Sequence, residues 1–238
     1  MSQDSAAKFD SSRAAEYARQ SRIALAGYDA CHELSACMLS AVLGAGTKAR
    51  LLVVGAGGTA GEIIAAATLE PDWSFVAVDP SPPMLELAKA ELAAAGLEQR
   101  VKTVLGHLAE ISITPSFDAA IMIGVLHHLQ DDEAKSEILT QIAARLRPGA
   151  PLVLAGNYRT YASQPLLMKA WATRWRMNGA GPEEIEVKMG KILQGAEPPE
   201  SEEAIAILLS EAGFDTPCRF FSSLFWGAWL TRRISDGL

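Results

Sequence analysis

Short apolar runs alternate with longer stretches of helical period along most of this chain. The first run, Leu51-Leu-Val-Val54, is unbroken, as suits a central parallel strand buried on both faces. Residues 75–78, 100–105, 117–123 and 151–155 repeat it. Between them, 59–69, 82–95 and 131–146 have the period and length of helices. The punctuation agrees: Pro82 opens one helix, Gly96 follows its end, and Arg147-Pro-Gly149 stops another. Such alternation predicts βαβ units and a doubly wound α/β sheet, covered by helices on both faces.

The flanks read differently. Residues 9–44 are helical in pattern, with apolar residues at Ile23, Leu25, Leu34, Met38, Leu39, Val42 and Leu43 and many alanines, and Gly44 and Gly46 close the stretch. Past residue 156 the spacing predicts helices over 161–177 and 183–193, parted by Asn178-Gly-Ala-Gly-Pro182. A linker at 195–199 leads to a helix over 201–212, then strands over 216–222 and 224–233.

Composition narrows the classes. With 49% hydrophobic and 21% charged residues, a chain of 238 residues can bury a substantial core. The net charge of −7, from 21 basic and 28 acidic residues, argues against nucleic acid or an anionic membrane as partner. The polar, mixed-charge start predicts no signal peptide, and no apolar run reaches the roughly 20 residues of a membrane span. Cys31, Cys37 and Cys218 form no CxxC pair and no His/Cys set has zinc spacing. Reduced thiols, no metal and a cytoplasmic location are the expectation.

The chemistry gathers where the strands end. Gly55-Ala56-Gly57-Gly-Thr-Ala60 follows the first strand, and its glycines let the backbone turn sharply and approach a ligand. A helix starting near Thr59 would aim free N–H groups at that ligand. Asp79 closes the second strand 24 residues after Gly55, where a carboxylate accepts from both hydroxyls of a ribose or caps the next helix. That spacing also suits an NAD fold, but no Tyr-x-x-x-Lys or other hydride-transfer site follows.

Further pieces stand in register: Pro80-Ser-Pro-Pro-Met84-Leu after Asp79, Gly124-Val125-Leu-His127-His128-Leu after the fourth strand, and Leu146-Arg-Pro-Gly149 before the fifth. This set closely resembles the class I S-adenosylmethionine-dependent methyltransferases over residues 50–155. The resemblance implies a Rossmann-like, seven-stranded, mostly parallel sheet whose last strand is antiparallel, and S-adenosyl-L-methionine as cofactor. It places Gly55, Ala56 and Gly57 at the methionine and ribose, Asp79 and Pro80 at the ribose, Met84 at the adenine, and Gly124 and Val125 at the methionine. After the third strand, where many members have Gly-Asp-Ala, this chain has Gly106-His107-Leu108. His107 is a candidate to bond or stack at the adenine, with Leu108 as an apolar face. In this family a helix before the first strand often folds over the pocket, which makes Arg22 a candidate for the methionine carboxylate.

The C-terminal part resembles carboxy-S-adenosylmethionine synthase through Asn178-Gly179, residues 183–189, Glu211-Ala-Gly-Phe214 and Arg219-Phe-Phe221. That resemblance implies a homodimer and, near Met189, an arginine that pairs with the added carboxylate. Methionine there favours an ordinary methyltransferase. His127 and His128 are candidates for general base, or for orienting the loop and packing. Trp171 and Trp175 lie four apart on one helical face, and with Tyr158 and Tyr161 they line a substrate pocket or belong to the core.

The expected organisation is one methyltransferase domain over 1–238. It has a helical cap at 9–44, a cofactor-binding core at 50–155, a lid insertion at 157–200, and a terminal helix and strand pair at 201–238. The expected function is methyl transfer to a small-molecule acceptor. A carboxylated-cofactor synthase acting with prephenate and a non-catalytic cofactor-binding module are the alternatives.

Overall fold

The structure, a computed structural model, describes residues 11–114 and 116–235. Two helices lead, α1 (Ser11–Ala24) and α2 (Tyr28–Leu43). The stretch read as one helical segment is thus broken, at Gly27, whose φ of 82° is a left-handed backbone that glycine adopts without strain. Residues 9 and 10 lie outside the described residues. Then follow β1 (Arg50–Val54), α3 (Gly61–Leu69), β2 (Ser74–Asp79), α4 (Pro82–Ala94), β3 (Val101–Leu105), β4 (Ala119–Ile123), α5 (Asp132–Arg145) and β5 (Pro151–Asn157). The chain continues through α6 (Pro165–Met177), α7 (Pro182–Gly195), α8 (Glu202–Glu211), β6 (Cys218–Ser223) and β7 (Trp226–Arg232).

The strands form one seven-stranded sheet in the order β3-β2-β1-β4-β5-β7-β6. The pairs among β1 to β5 are parallel, and β7 runs antiparallel to both β5 and β6. The doubly wound, mostly parallel sheet read from the sequence is therefore present. Strand β1 explains its own unbroken apolar sequence. Leu51 and Val53 pack with Leu39, Ile63, Ala66 and Phe75 in one cluster, while Leu52 and Val54 pack with Leu139, Ile142, Leu208 and Trp229 in another. Alternate side chains of one strand feed two cores, so neither set can be polar.

Element ends differ from the sequence reading where local chemistry intervenes. Strand β4 begins at Ala119, because Phe117 pairs instead with Leu146. The helix expected from residue 161 starts at Pro165, after a separate turn at Tyr161–Ser163. A proline disfavours helical geometry in the residue before it, and Gln164 has φ −127° and ψ 63°.

Side chains distant in sequence tie the layers together. Arg100 donates from Nε to the Trp73 carbonyl at 2.9 Å, from Nη1 to Ala67 at 3.0 Å and from Nη2 to Glu70 at 2.6 Å. It thereby satisfies carbonyls at the end of α3, which have no partner within the helix. Helix α6 does the same for α1. Trp171 Nε1 donates to the Ala24 carbonyl at 2.8 Å, and Arg174 donates to Ile23 at 2.7 Å and Arg22 at 2.8 Å. The first helix and the segment after β5 are thus bolted to each other.

Replacing Arg100 by Met keeps the alkyl stem and removes all three bonds. The variant is expected to lose about 2–4 kcal/mol of unfolding free energy, given the usual worth of bonds to a charged group. Urea denaturation followed by circular dichroism measures this, and an unchanged midpoint would remove Arg100 from the account of stability.

Candidate functional site

The sheet order reverses between β1 and β4, so the crevice at the carboxyl ends of these strands is where an open α/β sheet binds ligands. The glycine turn after β1 forms its floor. Gly55 has φ 71°, and a Cβ on it would lie 2.2 Å from Val125 Cγ2. A Cβ on Gly57 would lie 2.6 Å from both Asp79 Oδ2 and Met84 Cβ. The close approach that the sequence reading assigned to a ligand is thus made first by the protein's own motif residues. Helix α3 begins at Gly61, not near Thr59, with Ala60 left-handed at φ 49°.

Asp79 is held by backbone. Its Oδ2 accepts from Gly57 N–H at 2.9 Å and its Oδ1 from Ser81 N–H at 2.8 Å. The residue at the cap of α4 is Ser81, so Asp79 braces the turn rather than capping the helix. Burial pushes the Asp79 carboxyl upward from its ordinary value, and the two N–H donors oppose that rise.

A cavity of about 960 Å³ opens from this floor toward α6 and α7. Such a volume is near the upper end of the roughly 300–1,000 Å³ of small-molecule pockets. Of the residues singled out from the sequence, Gly55, Gly57, Gly124, His127, His128, Tyr161, Trp171 and Trp175 line it. Ala56, Asp79 and Met84 lie buried behind the turn, and Pro80 and Val125 are half-buried beside it. Tyr17 of α1 packs onto Gly58 over this side of the turn.

Four further assignments from the sequence lie neither in the cavity wall nor against the glycine turn. Arg22 is half exposed, pairs with Asp29 at 2.9 Å and sits 4.9 Å above the Tyr28 ring. The acid in the first turn of α2 takes the cation that was assigned to a carboxylate ligand. His107 is exposed, its N–H donating to Glu110 Oε1 at 2.9 Å, and Leu108 is core. Tyr158 is fully buried, edge-on to Trp229 at 5.0 Å, and receives a bond from Arg219 at 3.3 Å.

The wall divides into two halves. Near the glycine turn stand Tyr17, Tyr28, His32 and Glu62. Farther out, Tyr161, Trp171 and Trp226 join His127, His128 and Asn157. His127 Nδ1 accepts the Asn157 N–H at 3.3 Å, and its carbonyl accepts the Glu197 N–H at 2.8 Å. That fixes its proton on Nε2 and pins the loop to β5, a positioning role. His128 stacks beside it, 4.3 Å away between ring centres. Asn157 donates from Nδ2 to the Tyr161 hydroxyl at 2.6 Å, whereas its Oδ1 is buried without a hydrogen bond among the described residues, as are Trp175 Nε1 and Trp226 Nε1.

Glu62, Asn157 and Trp226 were not singled out as site residues from the sequence. Glu62 had a signal, as the one acid in the apolar helix Gly61–Leu69. Asn157 had little, since the apolar run of its strand stops at residue 155. Among the described residues, no group of three or more His, Cys, Asp or Glu is arranged to hold a metal, and no helix is long and apolar enough to cross a membrane.

Comparison with known proteins agrees with this architecture. Residues 52–152 match the family described as a methyltransferase domain. Carboxy-S-adenosyl-L-methionine synthase of Aeromonas salmonicida is 27% identical over 170 residues, covering 70% of this chain and 67% of that protein. Among solved structures, mitomycin 7-O-methyltransferase superposes with a TM-score of 0.61 at 19% identity, covering 84% of this chain and 53% of that one. Human N-acetylserotonin methyltransferase, in complex with S-adenosylmethionine, gives 0.58 at 19% identity, covering 85% of this chain and 52% of that one. The chain thus spans about half the length of these methyltransferases. The sheet order, the domain match across its central strands and the glycine turn braced by Asp79 agree: residues 52–152 carry a methyltransferase domain on the class I S-adenosylmethionine-dependent methyltransferase fold, whose cofactor is S-adenosyl-L-methionine.

Proposed function

We propose that this protein transfers a methyl group from S-adenosylmethionine to a small-molecule acceptor held beneath α6 and α7. The observation that carries this reading is the single cavity that joins the glycine turn to an aromatic chamber under those helices. When bound, the cofactor supplies an electrophilic methyl carbon on a sulfonium leaving group. The protein's part is then to align a nucleophile with that carbon and keep water away, which proximity and orientation achieve.

The residues present fit that division of labour. Asp79, preset by two backbone N–H groups, would hold the ribose beside Gly55 and Gly57. Gly124 lines the cavity at the end of β4, where the methionine half would lie. The aromatic chamber supplies flat apolar walls. Asn157 Oδ1, Trp175 Nε1 and Trp226 Nε1 supply one hydrogen-bond acceptor and two donors that the protein itself leaves unused. Buried polar atoms without partners are costly, and a polar acceptor molecule would repay that cost. Asn157 Oδ1 suits the N–H or O–H of the nucleophile. Of the two histidines, His128 is the candidate to take up its proton, because His127 is committed to the Asn157 N–H.

A second reading, synthesis of a carboxylated cofactor, rests on the likeness to the Aeromonas enzyme. Against it, Met189 packs with Ile23, Trp175 and Ala180 in an apolar cluster, so no cation stands at that position. Mass spectrometry of nucleotides from the purified protein incubated with S-adenosylmethionine and prephenate separates the readings, since only the second adds a carboxylate to the cofactor.

The Asp79→Ala variant should bind S-adenosylmethionine about 1–3 kcal/mol more weakly, the scale of a lost hydrogen bond to a charged group. Isothermal titration calorimetry reads this directly, and equal affinity would sink the ribose assignment. The Asn157→Leu variant should bind the cofactor normally yet release S-adenosylhomocysteine at least about tenfold more slowly with an accepted substrate, reflecting one lost polar contact. Full turnover in that variant would take Asn157 out of the acceptor site.

A further inference from the structure

Glu62 is a buried acid in the wall of a binding cavity, and no ion pair among the described residues joins it to a lysine or arginine. It stands in the first turn of α3 and is 8% exposed, yet it lines the cavity beside Gly55, Gly57 and His32. Its one charged neighbour among the described ion pairs is His32, with Nε2 at 3.6 Å, too far for a hydrogen bond. Nor does His32 provide a positive charge. Its Nδ1 lies 2.9 Å from the Tyr28 carbonyl, which can only accept, so the proton sits on Nδ1 and a lone pair on Nε2 faces the carboxylate. Arg22 of α1 is engaged with Asp29.

The groups facing Glu62 from every side are of one kind. Tyr17 comes from α1, Tyr28, Cys31 and His32 from α2, and Asp79 from the end of β2. Among these described groups none is a cation at neutral pH. A buried carboxylate is expensive, and the hydrogen bond from its own backbone N–H offsets only part of that cost. A ligand with a positive nitrogen would offset the rest.

We propose that the Glu62 carboxylate is the seat for the α-ammonium group of the cofactor's methionine. This rests on the cofactor assignment above and adds to it the residue that selects the amino-acid half. S-adenosylmethionine carries a sulfonium and an ammonium against one carboxylate, so its net charge is positive. Glu62 in the cavity wall, with Asp79 buried behind the turn, gives this side of the cavity the complementary sign. Asp79 is already occupied by two N–H donors and faces the ribose position, which leaves Glu62 for the charge.

The protonation of Glu62 gives the subsite a second signature. Burial raises its carboxyl to about 7, against the pull of its own backbone N–H and with a smaller push from Asp79. In the free protein, therefore, a large share of Glu62 is neutral below that pH. An ammonium favours the ionised form, so binding must tighten as pH rises through about 7 and release a proton there.

The experiment is calorimetry on wild type and Glu62→Gln with three probes: S-adenosylmethionine, S-adenosylhomocysteine and 5′-methylthioadenosine. The first two carry the ammonium, only the first carries the sulfonium, and the third lacks the amino acid altogether. Expected is a loss of roughly ten- to a hundredfold for the first two, and unchanged binding of methylthioadenosine. The wild-type affinity for S-adenosylhomocysteine should also climb between about pH 6 and 8, and that climb should vanish in the variant. A loss confined to S-adenosylmethionine would overturn the proposal in favour of a contact with the sulfonium. An equal loss for all three probes would make Glu62 merely structural, and no loss at all would leave it without a role in binding. If the wild type bound none of the probes, the cofactor assignment itself would fall.

Discussion

One buried carboxylate organises the floor of this molecule. Asp79 ends β2 and receives the N–H groups of Gly57 and Ser81, so a single side chain clasps the turn after β1 to the start of α4. Backbone bonds close the same knot, with Gly58 N–H on the Met84 carbonyl and Gly55 N–H on that of Val78. The clasp leaves no space at Gly57, where a Cβ would strike the carboxylate and Met84 together. Glycine is needed there because protein packs against protein. The ligand then inherits a turn that is already rigid, which is what preorganisation of a binding site requires.

The roof depends on a different kind of contact. The last carbonyls of α1 have no partners within the helix, and Trp171 and Arg174 of α6 provide them. A guanidinium at a helix C-terminus also meets the negative end of the helix dipole. Two segments about 150 residues apart in sequence thereby form one cover. Helix α7 completes it: Ile185 and Met189 rest on the cluster of Ile23, Trp175 and Ala180. The polar rim of that helix brings Lys188 over the Trp175 ring at 4.7 Å, with Glu184 3.5 Å from its ammonium.

The two halves of the cavity differ in their lining. Glu62 stands beside the glycine turn, whereas aromatic rings crowd the side beneath the cover, where α7 adds charges of both signs from Glu183, Glu184, Lys188 and Lys191. The histidines between the halves contribute mainly by position, since His127 ties the loop after β4 to β5 through its ring and to the segment after α7 through its carbonyl.

The sheet and its cofactor were legible in the amino-acid sequence because they rest on local pattern. A run such as Leu51 to Val54 can only be buried on both faces, and a glycine turn followed by an acid at the end of the next strand is a short-range signal. The site was less legible, and Arg22 shows why. A helical arginine near a pocket reads as an anion ligand until the fold sets Asp29 beside it. Tyr158 and Tyr161 read alike in sequence, yet the chain turns between them just after β5 and sends one to Trp229 and the other to the cavity. Glu62 and Asn157 carry no motif of their own. What the sequence determined by itself was the alternation of elements, and with it the sheet, the turn and the class of cofactor. Only the tertiary structure decided which polar side chains face the cavity unpaired, because pairing is set by neighbours that lie far apart along the chain.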